Sequence, residues 1–310
     1  MSLFMKTIYF WFILLPFTKA LSQNETVVPA FDFLKQFSNC RDFSISKNQD
    51  ELYFTLQNST EEISRIVCSK KIKNKWTTPE LVSFSSDHRD IEPFLSIDGL
   101  RLYFSSNRPL DDTSNKSKDY DIWYVERNDV KDKWSQPINI GTPINTAKDE
   151  FYPSVALNGN LYFTSENDKS LGKDDIFVSR WENNAFTNPE NLGDGVNTLG
   201  YEFNAFIASD ESFLIFTGYK REDGLGSGDL YISYKNKLGV WEKATSLGDK
   251  INSSAMDYCP FYDSSTQTFY FTSKRNRVIN KSFFNLEMFL KEINQYENGF
   301  SRIYKCNLKL

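Results

Sequence analysis

The chain has 310 residues, 40 % apolar and 16 % aromatic, which is ample to bury the core of one large domain or two small ones and excludes disorder as its main state. Its 36 basic and 41 acidic side chains leave a formal charge of -5, so there is no global basic balance with which to collect nucleic acid. A single histidine, His88, cannot supply a two-histidine zinc site, and no G-x-S-x-G, Walker A loop or C-x-x-C points to a known enzyme class.

Residues 1–22 read as a secretory signal peptide: Lys6 precedes an apolar run from Thr7 to Phe17, and Ala20 stands three residues before a cleavage point after Ser22. A membrane anchor is the competing reading, but such a run rises only ~16 Å as a helix against a hydrocarbon core of ~30 Å. Cleavage leaves residues 23–310, in which no stretch is apolar for long enough to span a bilayer. The mature chain is therefore expected to be soluble and extracytoplasmic, in the periplasm or secreted. Cys40, Cys68, Cys259 and Cys306 would then meet an oxidising compartment, where two disulfides and four buried free thiols are both open.

From residue 40 onward the chain repeats itself every 50 to 60 residues, a period that signals propellers or arrays. One anchor is a strand, Leu52-Tyr53-Phe54-Thr55, which recurs at Leu102, Leu161, Leu214 and Phe269. A second is the β-rich stretch at Ile66, Ile122, Ile176, Leu230 and Ile303, followed in four copies by the aromatic Trp76, Trp134, Phe186 or Trp241, which is expected to open a last short strand. Turns such as Asp98-Gly99 and Asn158-Gly159 before the first anchor mark hairpins. Each unit thus reads as four antiparallel strands, A to D, and Pro79, Pro137 and Pro189 place D at an exposed edge, because proline donates no ladder hydrogen bond.

The expected fold is all-β: a single five-bladed β-propeller with blades at about 40–84, 85–144, 145–196, 197–251 and 252–310. The fifth copy ends at strand C, so Val27 to Leu34 is expected to supply its missing outer strand and close the ring. Within blade 5, the apolar residues Phe284, Leu286, Phe289, Leu290 and Ile293 predict a short helix inserted between strands B and C, placed either as a lid on the channel or against the side of the blade.

The phrase Gly141-Thr142-Pro143-Ile144-Asn145-Thr146, leading to Glu150 and Pro153, recurs at Gly193 to Thr198 with Glu202 and at Gly248 to Ser253 with Asp257 and Pro260. Blade 2 keeps Asp90, Pro93 and the hairpin Ser96 to Arg108. This pattern resembles the TolB-type propellers built from Pro-Asp repeats, related in shape to WD-repeat propellers, and the ending Asn298 to Tyr304 looks like the closing blade of secreted bacterial members. The resemblance covers about residues 40–310. It implies the fold far more strongly than an activity, since the family mixes periplasmic scaffold and interaction proteins. Blade 1 departs from it with Cys40 at the acid position and Phe43 at the proline, and blade 4 with Ala205 at the proline.

On one face of such a ring strand A begins, strand B ends and strand C begins. That face gathers the acids Asp90, Glu150, Glu202 and Asp257 and the bases Arg108, Lys220 and Arg275, with Asp121, Asp175 and Asp229 opening strand C. These charges read either as structural pairs holding the blades or as a site for a cation or polar ligand at the channel mouth. Whether a metal sits there is left open, and no cofactor is implied. The leading functional expectation is a monomeric binding or scaffold module for a protein, peptide or glycan. The alternative is a carbohydrate-active enzyme, a glycosidase or lyase, using paired carboxylates such as Glu150 and Glu202. Cys40 and Cys259, both at the entry to strand A in blades that become neighbours on closure, are the first choice for a disulfide.

Overall fold

The computed structural model describes residues 26–111 and 116–310, so the expected leader lies outside the described residues. Five antiparallel sheets stand around one axis, each with its strand A innermost. The inner strands run Cys40–Ile45, Asp90–Leu95, Glu150–Val155, Tyr201–Ile207 and Asp257–Asp263. Each packs against the inner strands of both neighbouring blades, and blade 5 returns to blade 1, so the ring is closed.

Strands B and C of the five blades are Glu51–Gln57 and Ser64–Ile72, Arg101–Ser106 and Asp121–Glu126, Leu161–Ser165 and Asp175–Ser179, Phe213–Tyr219 and Gly228–Tyr234, and Thr268–Ser273 and Arg302–Asn307. Both faces of strand B meet a neighbouring blade, which is why its sequence is apolar without alternation. The phenylalanine of the repeated triplet (Phe54, Phe104, Phe163, Phe216, Phe271) is fully buried in every copy. Burying such a ring contributes roughly 2–3 kcal/mol, and that contribution recurs with the repeat.

Strand D is two residues long in each blade: Glu80–Leu81, Ile138–Asn139, Glu190–Asn191, Thr245–Ser246 and, for blade 5, Val28–Pro29. Pro79, Pro137 and Pro189 immediately precede it at the outer edge. The aromatics expected to open strand D instead lie between C and D, and they bind blade to blade. Trp134 donates from Nε1 to the Tyr53 hydroxyl of the previous blade at 3.0 Å, and Trp241 meets Tyr162 edge-on with centroids 6.3 Å apart.

Closure uses a shorter segment than residues 27–34. Val28 pairs with Lys305 and Pro29 with Tyr304, and the Ala30 N–H donates to the Ile303 carbonyl at 3.0 Å. The chain then leaves the sheet through a 3-10 turn, Asp32–Gln36, which crosses to blade 1. Leu34 is fully buried there, and Phe31 stacks on Tyr270 of blade 5 while meeting Trp76 of blade 1 edge-on. The N-terminal segment is thus both an edge strand and an apolar clamp.

The inserted helix is Leu286–Ile293, capped by the Asn285 side chain, which accepts from the Met288 N–H at 2.9 Å. It is neither a lid nor a packed element: none of its residues is buried, and polar contacts tether it, among them Lys281 to Glu292 at 3.0 Å. Among the described residues no helix is long and apolar enough to cross a membrane.

Candidate functional site

The polar residues of the repeat first build a scaffold. Asn145 accepts from the Ile122 N–H at 2.9 Å and donates back to its carbonyl at 3.0 Å, stitching the entry of blade 3 to strand C of blade 2. Asn197 does the same to Ile176, and Asn252 to Leu230. The next residue, Thr146, Thr198 or Ser253, donates its hydroxyl to the acid four residues on, Glu150, Glu202 or Asp257. This explains the Asn-Thr-x-x-x-acid spacing: one residue clamps the preceding blade and the next anchors the acid that opens strand A.

Those acids are fully buried and held within their own blades. Asp90 takes Arg108 at 2.7 Å and Asp257 takes Arg275 at 3.2 Å, each arginine also bonding a strand-B serine. Blade 4 has Gly218 where that serine stands. There Lys220 adopts a left-handed backbone (φ 53°) and leaves its ammonium exposed over Tyr219, while Arg221 folds back to Glu202 at 2.9 Å. In blade 3 Asn167 occupies the equivalent place, and among the described residues Glu150 is held by Thr146 and Ser165, with no cation paired to it. Burial, reinforced by Asp121 and Asp119, pushes its carboxyl up to about 7. Asp175 and Asp229 cap loop amides, Leu171 and Gly172 in one case and Leu225 and Gly226 in the other.

The expected disulfide is not formed, and all four cysteines are free thiols. Cys40 stands in register with the ring acids, whereas Cys259 lies two residues further along its own strand A. Its thiol donates to the Asp42 carboxylate of blade 1 at 2.8 Å.

The residues on the axis come from a feature that was not read in the sequence. Every strand A breaks register once, and the first residue of each break is left-handed: Asp42, Glu92, Tyr152, Asn204 and Cys259, with φ between 50° and 61°. Such bulges in an inner strand turn backbone and side chain toward the channel and cost on the order of 1 kcal/mol or more each for residues other than Gly, Asn and Asp. Four of the five amides are anchored on the previous blade: those of Asp42, Glu92, Tyr152 and Asn204 donate to the hydroxyls of Thr272, Thr55, Ser105 and Thr164. The sequence signal was present in the repeated Thr or Ser that closes each strand-B motif.

These side chains interlock. Arg41 bonds Asp42 and Glu92, both at 2.8 Å, and stacks over Tyr258. Glu92 also accepts from the Tyr152 amide at 2.7 Å and from the Asn204 side chain at 3.3 Å. Burial pushes the Glu92 carboxyl up even though Arg41 opposes it, and burial together with Asp42 pushes the Cys259 thiol well up. A buried neutral thiol of this kind is a hydrogen-bond donor rather than a nucleophile. Below this layer the Tyr152 hydroxyl donates across to the Pro260 carbonyl at 2.9 Å, and Phe94, Phe206 and Phe261 line a separate, largely apolar cavity of about 310 Å³ at the far end of the axis.

Above it opens a cavity of about 360 Å³ on the face where strand A begins. Its floor is Arg41, Glu92 and Asn204, its walls include Phe151, Phe203 and Tyr258, and its rim carries Glu61, Arg89, Asp174 and Lys274. None of Asp90, Glu150, Glu202, Asp257, Arg108, Lys220 and Arg275 lines it. Among the described residues no cluster of three or more His, Cys, Asp or Glu side chains could hold a metal ion.

No family model matches the chain, and no curated protein matches it in sequence. Solved structures do match in shape. The catalytic domain of the Coprinopsis cinerea GH62 alpha-L-arabinofuranosidase gives a TM-score of 0.52 at 8 % identity, over 92 % of this chain and 96 % of that one. An alpha-L-arabinofuranosidase from Lactobacillus brevis gives 0.50 at 13 % identity, over 86 % and 90 %. A putative TolB from Agrobacterium tumefaciens gives 0.49 at 12 % identity, over 79 % and 72 %. At such identities the likeness shows the fold alone. This chain is a five-bladed β-propeller, and its chemistry has to be read from its own channel mouth.

Proposed function

We propose that this protein is an extracytoplasmic binding or scaffold propeller of the Pro-Asp repeat kind, presenting its channel mouth to a protein, peptide or glycan ligand. One observation carries the reading: the scaffold positions repeat from blade to blade, while the five left-handed positions on the axis are five different residues. A regular ring needs no such variety, and left-handed Glu, Tyr and Cys are costly places to keep it. An asymmetric polar floor with aromatic walls is the arrangement that orients one ligand. The extracytoplasmic placement rests on the leader sequence.

Hydrogen exchange on the full chain, with and without pooled peptides or oligosaccharides, tests this. Protection is expected at residues 89–92, 149–152 and 203–205. Protection confined to the opposite hairpins, at 47–50, 97–99 and 209–211, would overturn it.

A carbohydrate-active enzyme is the second reading, favoured by the raised Glu92 carboxyl, which has the character of a general acid, and by Asp174 as a second carboxylate at the mouth. Release of reducing sugar from oligosaccharides, abolished by Glu92→Gln, would support it.

A further inference from the structure

The charges of the mouth do not all cancel locally. Glu92 is taken by Arg41 at 2.8 Å and Glu61 by Lys274 at 2.9 Å. Among the described residues, Arg89 forms an ion pair with no carboxylate and Asp174 with no cation. Arg89 lies over the Tyr120 ring, its guanidinium carbon 5.5 Å from the ring centroid, and both residues line the cavity. The Nε of Arg89 and the hydroxyl of Tyr120 are buried without any hydrogen-bond partner. Two orphaned donors side by side in a cavity call for an acceptor, since each costs about 1–3 kcal/mol when left unmade.

Asp174 belongs to the next blade, at the entry to strand C of blade 3. Burial raises its carboxyl, and Glu166, Asp149 and Asp175 raise it further by adding negative potential to which a cation is drawn. Between Arg89 and Tyr120 of blade 2 and Asp174 of blade 3 lies Phe151, whose ring sits 5.0 Å from that of Tyr120. Going round the rim, the order is therefore cation and donors, apolar ring, anion.

We propose that the mouth recognises a dipolar peptide segment, with a carboxylate on Arg89 and Tyr120, an apolar side chain on Phe151 and an ammonium on Asp174. This deepens the binding reading and rests on the mouth being the site. A neutral glycan would give Arg89 no direct carboxylate contact, and an acidic one would give Asp174 no cation.

Calorimetric titration of the full chain with capped tripeptides tests it. The probes are acetyl-Asp-Phe-Lys-amide, its reversed form, and the Asp-Phe-Asp, Lys-Phe-Lys and Gln-Phe-Gln forms, with trigalacturonate as the acidic glycan. One of the two dipolar peptides should bind about tenfold or more tighter than Gln-Phe-Gln, the scale of one well-made charged contact. Arg89→Gln should erase the gain from Asp, and Asp174→Asn the gain from Lys. Asp174→Lys should shift preference to Asp-Phe-Asp, a gain that mere loss of folding cannot mimic. Equal binding of Gln-Phe-Gln, preference for trigalacturonate, or a preference that survives both neutral variants would overturn the proposal. If no tripeptide binds while hydrogen exchange still maps ligand to the mouth, the dipolar assignment fails and the binding reading stands. If nothing protects the mouth, both fail.

Discussion

A Cβ placed on Gly218 would lie 2.6 Å from the Nε of Arg221, so the missing side chain in strand B of blade 4 is what allows Arg221 to reach the buried Glu202. Blades 2 and 5 solve the same problem with a serine and an arginine two residues on. Blade 4 reaches the same pairing with a glycine and an arginine three residues on.

Gly218→Ser should therefore not restore the pattern of the other blades. The serine displaces Arg221 and leaves Glu202 buried without its cation, a loss of about 3 kcal/mol. Chemical denaturation should show it, and adding Arg221→Met should cost little more, because the pair is already broken. A neutral Gly218→Ser would contradict this account.

Glu150 should behave unlike the other ring acids. Its carboxyl sits at about 7 in the folded chain against 4.5 ordinarily, so the folded state holds the proton more tightly. Its contribution is present in full below pH 4.5 and is lost as pH rises through 7, on the order of 3 kcal/mol over that window. Glu150→Gln keeps the neutral form at every pH. Its stability relative to the parent should rise between pH 5 and 7.5, whereas Asp90→Asn and Glu202→Gln, which strand a buried arginine, should destabilise. Denaturant midpoints across that range decide the matter.

Ring closure should depend on a few N-terminal residues. Removing residues 26–31 takes away the outer strand of blade 5 and the Phe31 stack, exposing the edge of Arg302–Asn307. Leu34→Ala alone should cost about 3 kcal/mol, as for a fully buried leucine. The melting temperature of a chain beginning at residue 32 should fall well below that of one beginning at residue 23, with self-association visible by light scattering.

The thiols should be silent in the folded protein. Burial lifts Cys40 and Cys68 to about 12, and Cys259 is further occupied by Asp42. At pH 8 a thiol reagent should label the native chain slowly and all four cysteines at once in denaturant. Peptide mapping of non-reduced protein that recovers a linked Cys40 and Cys259 would contradict the structure.

The repeat could be read from the chain because each blade buries the same triplet and blades 3 to 5 carry the same phrase of Asn, then Thr or Ser, then an acid four residues on, and blade number followed from counting copies of the triplet. Closure was legible from the missing fifth strand D, though not its two-residue extent: how soon Phe31 leaves the sheet depends on the apolar gap between blades 5 and 1. Arg221 was missed for a local reason, since the left-handed backbone at Lys220 moves the cation that pairs with Glu202 one position along from its place in blades 2 and 5. The mouth was hidden for a deeper reason. Asp42, Glu92, Tyr152, Asn204 and Cys259 are unlike one another and far apart in the chain, so no spacing links them. They meet because a bulge in each inner strand turns one residue onto a shared axis, and that axis exists only once the ring has closed.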